Sequence, residues 1–191
     1  VLKFAGNAVT TRRIGNTLYV VLTSGVRYWG GPVPLEKSES PVPQLEDSKT
    51  GTTKAMVPCG DVMILPRIPS PSYVAVSAVR LDDASKDVQS EVILGSADNV
   101  YASEKNLYVA ATRYSYDWNP AGSSNSEQTQ IYRFGISADG LSMSGQGTVP
   151  GHILNQFSMD ESGDYFRVAT TVSPTWSPEG REMHSVNGLY V

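Results

Sequence analysis

Three tryptophans hold matching places in this sequence and could contact a ligand. They are Trp29, Trp118 and Trp176, and each follows the bulky apolar residue of a recurring sequence unit by 10 or 11 residues. A tryptophan ring is large and rigid, so aligned rings on one face could stack on sugars or hold a peptide. The same placement also suits rings that pack beneath a loop or against a neighbouring sheet. We predict these tryptophans as ligand-binding residues, with packing as the alternative.

The two histidines and the single cysteine are the side chains suited to acid–base or nucleophilic chemistry. His152 and His184 lie outside any His-Glu-x-x-His motif, and no Gly-x-Ser-x-Gly motif is present. Cys59 has no histidine near it in the sequence, although a Cys–His pair could form in space. We therefore assign no catalytic residue, no metal ligand and no cofactor, and the sequence leans against an enzyme.

The acidic run at 160–164 is the densest cluster of carboxylates. Carboxylates could bind Ca²⁺, but the alternating spacing and the distant glutamate of an EF-hand loop are missing. Serine, glycine and aspartate are also ordinary turn formers. We expect a hairpin turn at this run, and the same interpretation applies to the acidic stretch at 82–87.

Composition and charge argue against two classes of partner. The chain of 191 residues has a net charge of −4, and its densest basic cluster is the pair Arg12-Arg13. Nucleic-acid binding needs clustered Lys and Arg against phosphates, so a nucleic-acid partner is not expected. No apolar stretch approaches the roughly 18 residues that span a membrane. We predict a protein that does not span the membrane.

The fold is indicated by a short unit that recurs along the chain. It joins a turn residue, a bulky apolar residue, an aromatic or long residue and valine, as in GNTLYVV at 15–21 and KNLYVAA at 105–111, and more weakly in GDYFRVAT at 163–170. Apolar–aromatic runs between Gly, Asn, Asp and Ser are typical of short antiparallel strands, and helical periodicity is scarce. The equivalent bulky residues of the three units are Leu18, Leu107 and Phe166.

The spacing of the units favours a propeller, whose four-stranded blades take about 40–50 residues each. We predict an all-β fold, a partial β-propeller of about two and a half four-stranded antiparallel blades. Blade 1 takes about 8–95 with a long insertion at 28–72, blade 2 about 98–149, and an incomplete blade 3 about 153–191. The predicted strands are 8–14, 17–23, 73–81, 89–94, 99–103, 107–114, 130–136, 141–149, 154–159, 165–171 and 188–191.

Long connections join the second and third strands of each predicted blade, at 28–72, 117–129 and 174–185. In a propeller such connections emerge on one face of the disc, where recognition loops usually lie. The first connection is rich in Pro, Ser, Glu, Asp and Lys, so we expect its middle to be mobile. The second is expected to be a small polar loop.

Two and a half blades cannot close a ring, because each blade shields the apolar face of the next. We expect this chain to be part of a larger propeller. Unpaired strand edges at its ends would favour association with a second copy. Self-association is therefore predicted.

The sequence VPGHILNQFSMDESGDYFRVATT at 149–171 resembles a signature of a family of bacterial and archaeal secreted proteins. These proteins carry a C-terminal β-propeller domain distantly related to WD40 repeats. The stretches 15–29, 94–111 and 129–136 are similar to neighbouring parts of the same domain. One departure is the turn at 162–164, where the family tends to place glycine last. The resemblance implies an extracytoplasmic β-propeller, secreted or at the cell surface, with no catalytic residues to carry over.

Together these features favour a non-catalytic binding or scaffolding module. It would recognise a polysaccharide, a peptide or a cell-envelope partner through the face that carries the long connections. The alternatives are a propeller hydrolase, or an accessory domain of an extracellular enzyme acting on polysaccharide or peptide, and a purely structural spacer. Fold alone does not choose among them.

Overall fold

β-Strands and the turns between them make up most of the described residues, and the chain divides into two units. A computed structural model describes residues 1–26, 41–64, 72–83, 85–119, 122–137, 140–174 and 184–191, without the side chains of 116–119 and 122–125. One unit comprises Val1–Ala97 with Ser137–Ser142, and the other comprises Asp98–Ile136 with Met143–Val191. Within the described residues no helix is long or apolar enough to cross a bilayer.

Fourteen described strands form four antiparallel sheets of three or four strands. Three sheets follow the order of the chain, β2-β3-β6-β7, β8-β9-β10-β11 and β12-β13-β14, and we number them first, second and third. A small sheet has the order β1-β4-β5. The strands are β1 (Leu2–Phe4), β2 (Asn7–Ile14), β3 (Thr17–Gly25), β4 (Gln44–Asp47), β5 (Thr52–Ala55), β6 (Ser72–Arg80), β7 (Gln89–Leu94), β8 (Asn99–Ala102), β9 (Asn106–Asn119), β10 (Gly122–Ser137), β11 (Gly140–Pro150), β12 (Met159–Ser162), β13 (Tyr165–Val172) and β14 (Val186–Tyr190).

The three recurring units form three hairpins with the same register. Leu18, Leu107 and Phe166 each lie on the second strand of a sheet and pair with Arg13, Ala102 and Glu161 respectively. In the first and third hairpins the turn begins with a glycine of positive φ, 57° at Gly15 and 61° at Gly163. Glycine adopts this conformation without steric cost, as two-residue hairpin turns require. The turn at 162–164 is therefore built like the turn at 15–16.

The expectation of a mobile insertion is wrong for residues 41–64. β4 and β5 form the small sheet with β1, and Leu45 and Val42 are 3% exposed. They pack with Met56 against Val20 and neighbouring residues on one face of the first sheet. The composition of the insertion is polar on average. Its β4 nevertheless pairs with β1, which is distant in the sequence, and this pairing places the few apolar residues of the insertion together.

The polar loop predicted at 117–129 is also wrong in its extent. β9 and β10 continue as a paired hairpin out to Asn119 and Gly122, so most of the predicted loop is strand. A polar strand is stable here because its backbone groups pair across the hairpin although few apolar side chains are present.

The first strand of the third sheet begins five residues later than predicted, at Met159 rather than 154. Asn155 accepts a hydrogen bond from the Phe157 backbone and caps a short 3-10 turn at Gln156–Ser158. Leu154 and Phe157 are 80% and 85% exposed as a result. Asparagine competes with strand pairing through such local hydrogen bonds, and the apolar pattern conceals this.

Candidate functional site

The predicted tryptophan face falls outside the described side chains. Trp29 and Trp176 lie among residues that the structure does not describe, and Trp118 contributes only its backbone, which pairs with Ser123. The binding role of the three tryptophans therefore stays a prediction.

A cluster of polar side chains, here called the Glu127 cluster, joins the second sheet to the end of β13. Glu127 Oε1 lies 2.8 Å from His152 Nδ1, and its Oε2 accepts a 2.8 Å hydrogen bond from the Ser173 backbone N–H. Tyr114 faces Glu127 across the β9–β10 hairpin and bonds to the carboxylate. The side chain of Glu127 is 8% exposed, whereas that of His152 is 32% exposed. A buried carboxylate thus orients a partly exposed imidazole.

The charge of Glu127 is stabilised by its hydrogen bonds. Burial acts to raise its pKa, but the bonds from Ser173, His152 and Tyr114 together hold the pKa below its ordinary value. Of the two ring nitrogens of His152, Nδ1 is hydrogen-bonded to Glu127, and no hydrogen bond joins Nε2 to a described residue. The sequence shows no partner for His152, because Glu127 is 25 residues away in the chain.

The acidic run at 160–164 is divided between a strand and a turn. Asp160 pairs with Arg167 of the next strand, and Gly163 forms the turn. The Glu161 carboxylate accepts bonds of 3.0–3.1 Å from Asn106 and Ser103 in the second sheet. These carboxylates connect elements of the fold, and the predicted hairpin turn covers only part of the run.

The acidic stretch at 82–87 is also engaged locally. Two hydrogen bonds from Arg80 lower the pKa of Asp82 to about 2, and Asp83 accepts from Ser85. Cys59 is exposed in a short 3-10 turn of the unit that does not contain the histidines. Among the described residues, no group of three His, Cys, Asp or Glu could hold a metal ion.

An aromatic groove of about 420 Å³ opens beside β14, between the second and third sheets. The rings of Tyr108 and Phe166 stack at its base, with centroids 3.9 Å apart and planes within 10°. Tyr190 of β14 lies against the same core. The groove is also lined by Ile131, Arg133, Gly145 and Gly147.

The groove residues that belong to β10 and β11 include one cation and two glycines. Arg133 donates from Nε to Ser144 Oγ at 3.0 Å and is otherwise exposed. A Cβ on Gly145 would lie 3.9 Å from Arg133 Nε, and a Cβ on Gly147 would meet nothing within 4 Å. Both glycines line the groove, and their lack of side chains leaves room there. Apolar area, aromatic surface and one cation are typical of a binding site.

The sequence indicates the strands that line this groove but not the groove itself. Tyr108 and Phe166 stand next to or at the recurring apolar position, which indicates a strand and gives no sign of a ligand site. Their stacking joins strands 58 residues apart, which only the packing of two sheets brings about. Burial, together with nearby Glu161, raises the pKa of Tyr108 well above its ordinary value, so the phenol remains protonated at neutral pH.

The comparison with protein families decides the fold family. The profile of the beta propeller domain matches residues 1–191. The chain belongs to the beta propeller domain family. The match confirms the predicted fold class, a partial propeller of about two and a half blades, as well as the resemblance to a propeller family.

A relative of this beta propeller domain occurs in the archaeon Archaeoglobus fulgidus. It is described as an uncharacterized protein and is 48% identical over 46 residues. The match covers 24% of this chain and 7% of the relative's length. It adds no activity, substrate or partner.

Proposed function

We propose that this beta propeller domain is a non-catalytic binding or scaffolding module of a secreted or surface protein, with the aromatic groove as its ligand site. The groove carries the proposal, because it joins a stacked aromatic base with an accessible cation in about 420 Å³. The ligand is a polysaccharide, a peptide or a cell-envelope component. Sugars and peptides both use such aromatic surfaces.

Blocking the groove provides the experiment. Gly147→Trp places a ring where an added Cβ meets nothing within 4 Å, and tryptophan is well tolerated in strands. Wild type and variant are screened against a glycan array and a random octapeptide library. Ligands of the wild type should bind the variant at least tenfold more weakly. A tryptophan at Thr53, an exposed residue of β5, serves as the matched control and should bind normally.

Two results would contradict this function. Ligands that bind wild type and Gly147→Trp equally would exclude the groove as the site. The complete absence of ligands in both screens would favour a structural spacer. The proposed location is tested separately, by immunodetection of the protein in the culture medium and at the surface of its host cells.

An enzymatic function is the second candidate, and the Glu127 cluster favours it. A partly exposed imidazole held by a buried carboxylate is suited to act as a general base. Turnover of fluorogenic glycosides or peptides that is lost in His152→Gln would support a hydrolase. Turnover that persists in this variant would exclude His152 as the base.

A further inference from the structure

We propose that the Glu127 cluster binds a neutral pyranose of a glycan, which stacks on Tyr114 and donates a hydroxyl hydrogen to His152 Nε2. This site goes beyond the proposed function, whose ligand site is the aromatic groove. Tyr114, Glu127 and His152 do not line that groove. Six residues of extended strand, about 20 Å, separate Tyr114 from Tyr108 at the base of the groove.

Tyr114 presents an exposed ring that is held in place. Its side chain begins on β9 directly opposite Glu127 of β10, and its hydroxyl bonds to the Glu127 carboxylate. The residue is nevertheless 75% exposed. Because the ring is fixed at both ends, a ligand that stacks on it does not have to order a mobile side chain. The ring is therefore a preformed surface for stacking.

The position of His152 is fixed by backbone contacts from two sheets. Its N–H and C=O exchange hydrogen bonds of 2.9 and 3.0 Å with Thr171 of the third sheet. The neighbouring Gly151 N–H donates to the Glu127 backbone carbonyl at 2.7 Å, and the Gly151 C=O accepts from buried Thr129 Oγ1 at 2.7 Å. The imidazole therefore projects from a well-anchored backbone, which favours precise contact with a ligand.

The carboxylate of Glu127 decides what the imidazole offers a ligand. Its pKa is held below the ordinary value, so at neutral pH the carboxylate is ionised and only accepts hydrogen bonds. His152 must therefore donate from Nδ1, which in the neutral ring leaves the lone pair on Nε2. No hydrogen bond joins Nε2 to a described residue, and the side chain is 32% exposed. Nε2 is thus an acceptor suited to a ligand hydroxyl.

These two groups select the chemistry of the ligand. A pyranose has an apolar C–H face for the ring of Tyr114 and hydroxyl groups at its edge for Nε2 of His152. Asp98 is exposed and lies within electrostatic reach of the Tyr114 phenol, so it would repel an acidic sugar or a nucleotide. Glu127 is 8% exposed and both of its oxygens accept hydrogen bonds, so it presents no free carboxylate to a cation. A neutral sugar therefore fits best.

A glycan array that carries neutral and acidic oligosaccharides tests this site, and neutral glycans should bind wild type. Tyr114→Ala should weaken this binding at least tenfold. Tyr114→Phe keeps the ring but loses the bond to Glu127, so it should weaken binding less. Tyr165→Ala is the matched control, because it removes a 67% exposed ring from the third sheet and should bind normally. Thermal melts check that each variant is folded.

A measurement on the wild-type protein tests the role of His152 without any substitution. The chain has two histidines, so their ring nitrogens can be followed separately by NMR, with His184 as the internal reference. A bound neutral glycan should shift the Nε2 signal of His152, because a hydroxyl then donates to it. An unchanged Nε2 signal in the bound state would overturn this contact.

The outcomes separate this site from the aromatic groove. Neutral glycans that bind Tyr114→Ala as tightly as wild type would overturn the site. If Gly147→Trp blocks those same glycans, the proposed function stands while this inference fails. If Tyr114→Ala blocks them and Gly147→Trp does not, this inference stands and the groove is excluded as the glycan site. A preference for acidic glycans or lysine-rich peptides, or the absence of any neutral glycan ligand, would overturn the assigned ligand class.

Discussion

Leu45→Ala tests whether the insertion is a packed part of the first unit or a mobile loop. Leu45 is 3% exposed and belongs to a cluster that includes Val20, Tyr73 and Val92 of the first sheet. Truncating a buried leucine removes transfer free energy and leaves a cavity, which together cost about 2–5 kcal/mol. We expect a loss of about 3 kcal/mol, because the small sheet covers this site from one side only. For a chain of this length that corresponds to a Tm lower by roughly 6–12 °C.

Urea unfolding followed by circular dichroism measures this loss directly. Ile64→Ala is the matched control, because Ile64 lies in the same insertion but is 68% exposed. Its effect should stay within about 0.5 kcal/mol. Equal and small effects of the two substitutions would refute the packing of the small sheet, and they would restore the mobile insertion that the composition suggests.

Four further substitutions test the turns, the Glu127 cluster and the core. Gly151→Ala should cost about 2–4 kcal/mol in urea unfolding, since φ is 84° and a Cβ would lie 2.5 Å from Thr171 O. Gly163→Ala, with φ of 61° and nothing within 4 Å, should cost only about 1–2 kcal/mol. The pKa of Glu127 is lower in the folded protein than in the unfolded chain, so its charge stabilises the fold at neutral pH. This stabilisation is lost as the pH falls below about 4.3, the ordinary pKa of glutamate. In thermal melts, Glu127→Gln should therefore lose less Tm on acidification than wild type does. Tyr132→Phe should be neutral or stabilise by up to about 1 kcal/mol, since the buried hydroxyl has no partner among the described residues and burial raises its pKa to about 12.

Each of these expectations has a clear opposite result. Equal losses at Gly151 and Gly163 would contradict the close approach of Thr171. Parallel acid profiles for wild type and Glu127→Gln would show that the carboxylate gains nothing from its partners. A loss above about 1 kcal/mol in Tyr132→Phe would reveal a hydrogen bond to the hydroxyl.

Strands with strong local signals were predicted closely from the sequence. β7 was predicted at its observed bounds, and β13 within one residue, because apolar alternation and flanking turn residues are local properties. The predicted bounds were wrong where a local side-chain hydrogen bond competes with strand pairing. The start of β12 was misplaced because the side chain of Asn155 caps a turn within an apolar stretch.

The candidate sites were predicted less well than the strands. Glu127 was not singled out, although His152 was named as a histidine without a partner. The aromatic groove was not predicted, since nothing in the sequence distinguishes Tyr108 and Phe166 from other apolar residues of their strands. Both sites consist of residues that are far apart in the chain and carry no shared motif.

The sequence by itself determined that this chain is built of antiparallel hairpins with a common register. Turn glycines and two-residue periodicity act between neighbours, so they can be read along the chain. Only the tertiary structure decided that the insertion packs on the first sheet, that Glu127 holds His152, and that β14 borders an open groove. The physical reason is that each of these features depends on contacts between distant strands, and a contact's free energy appears only when folding brings its two sides together.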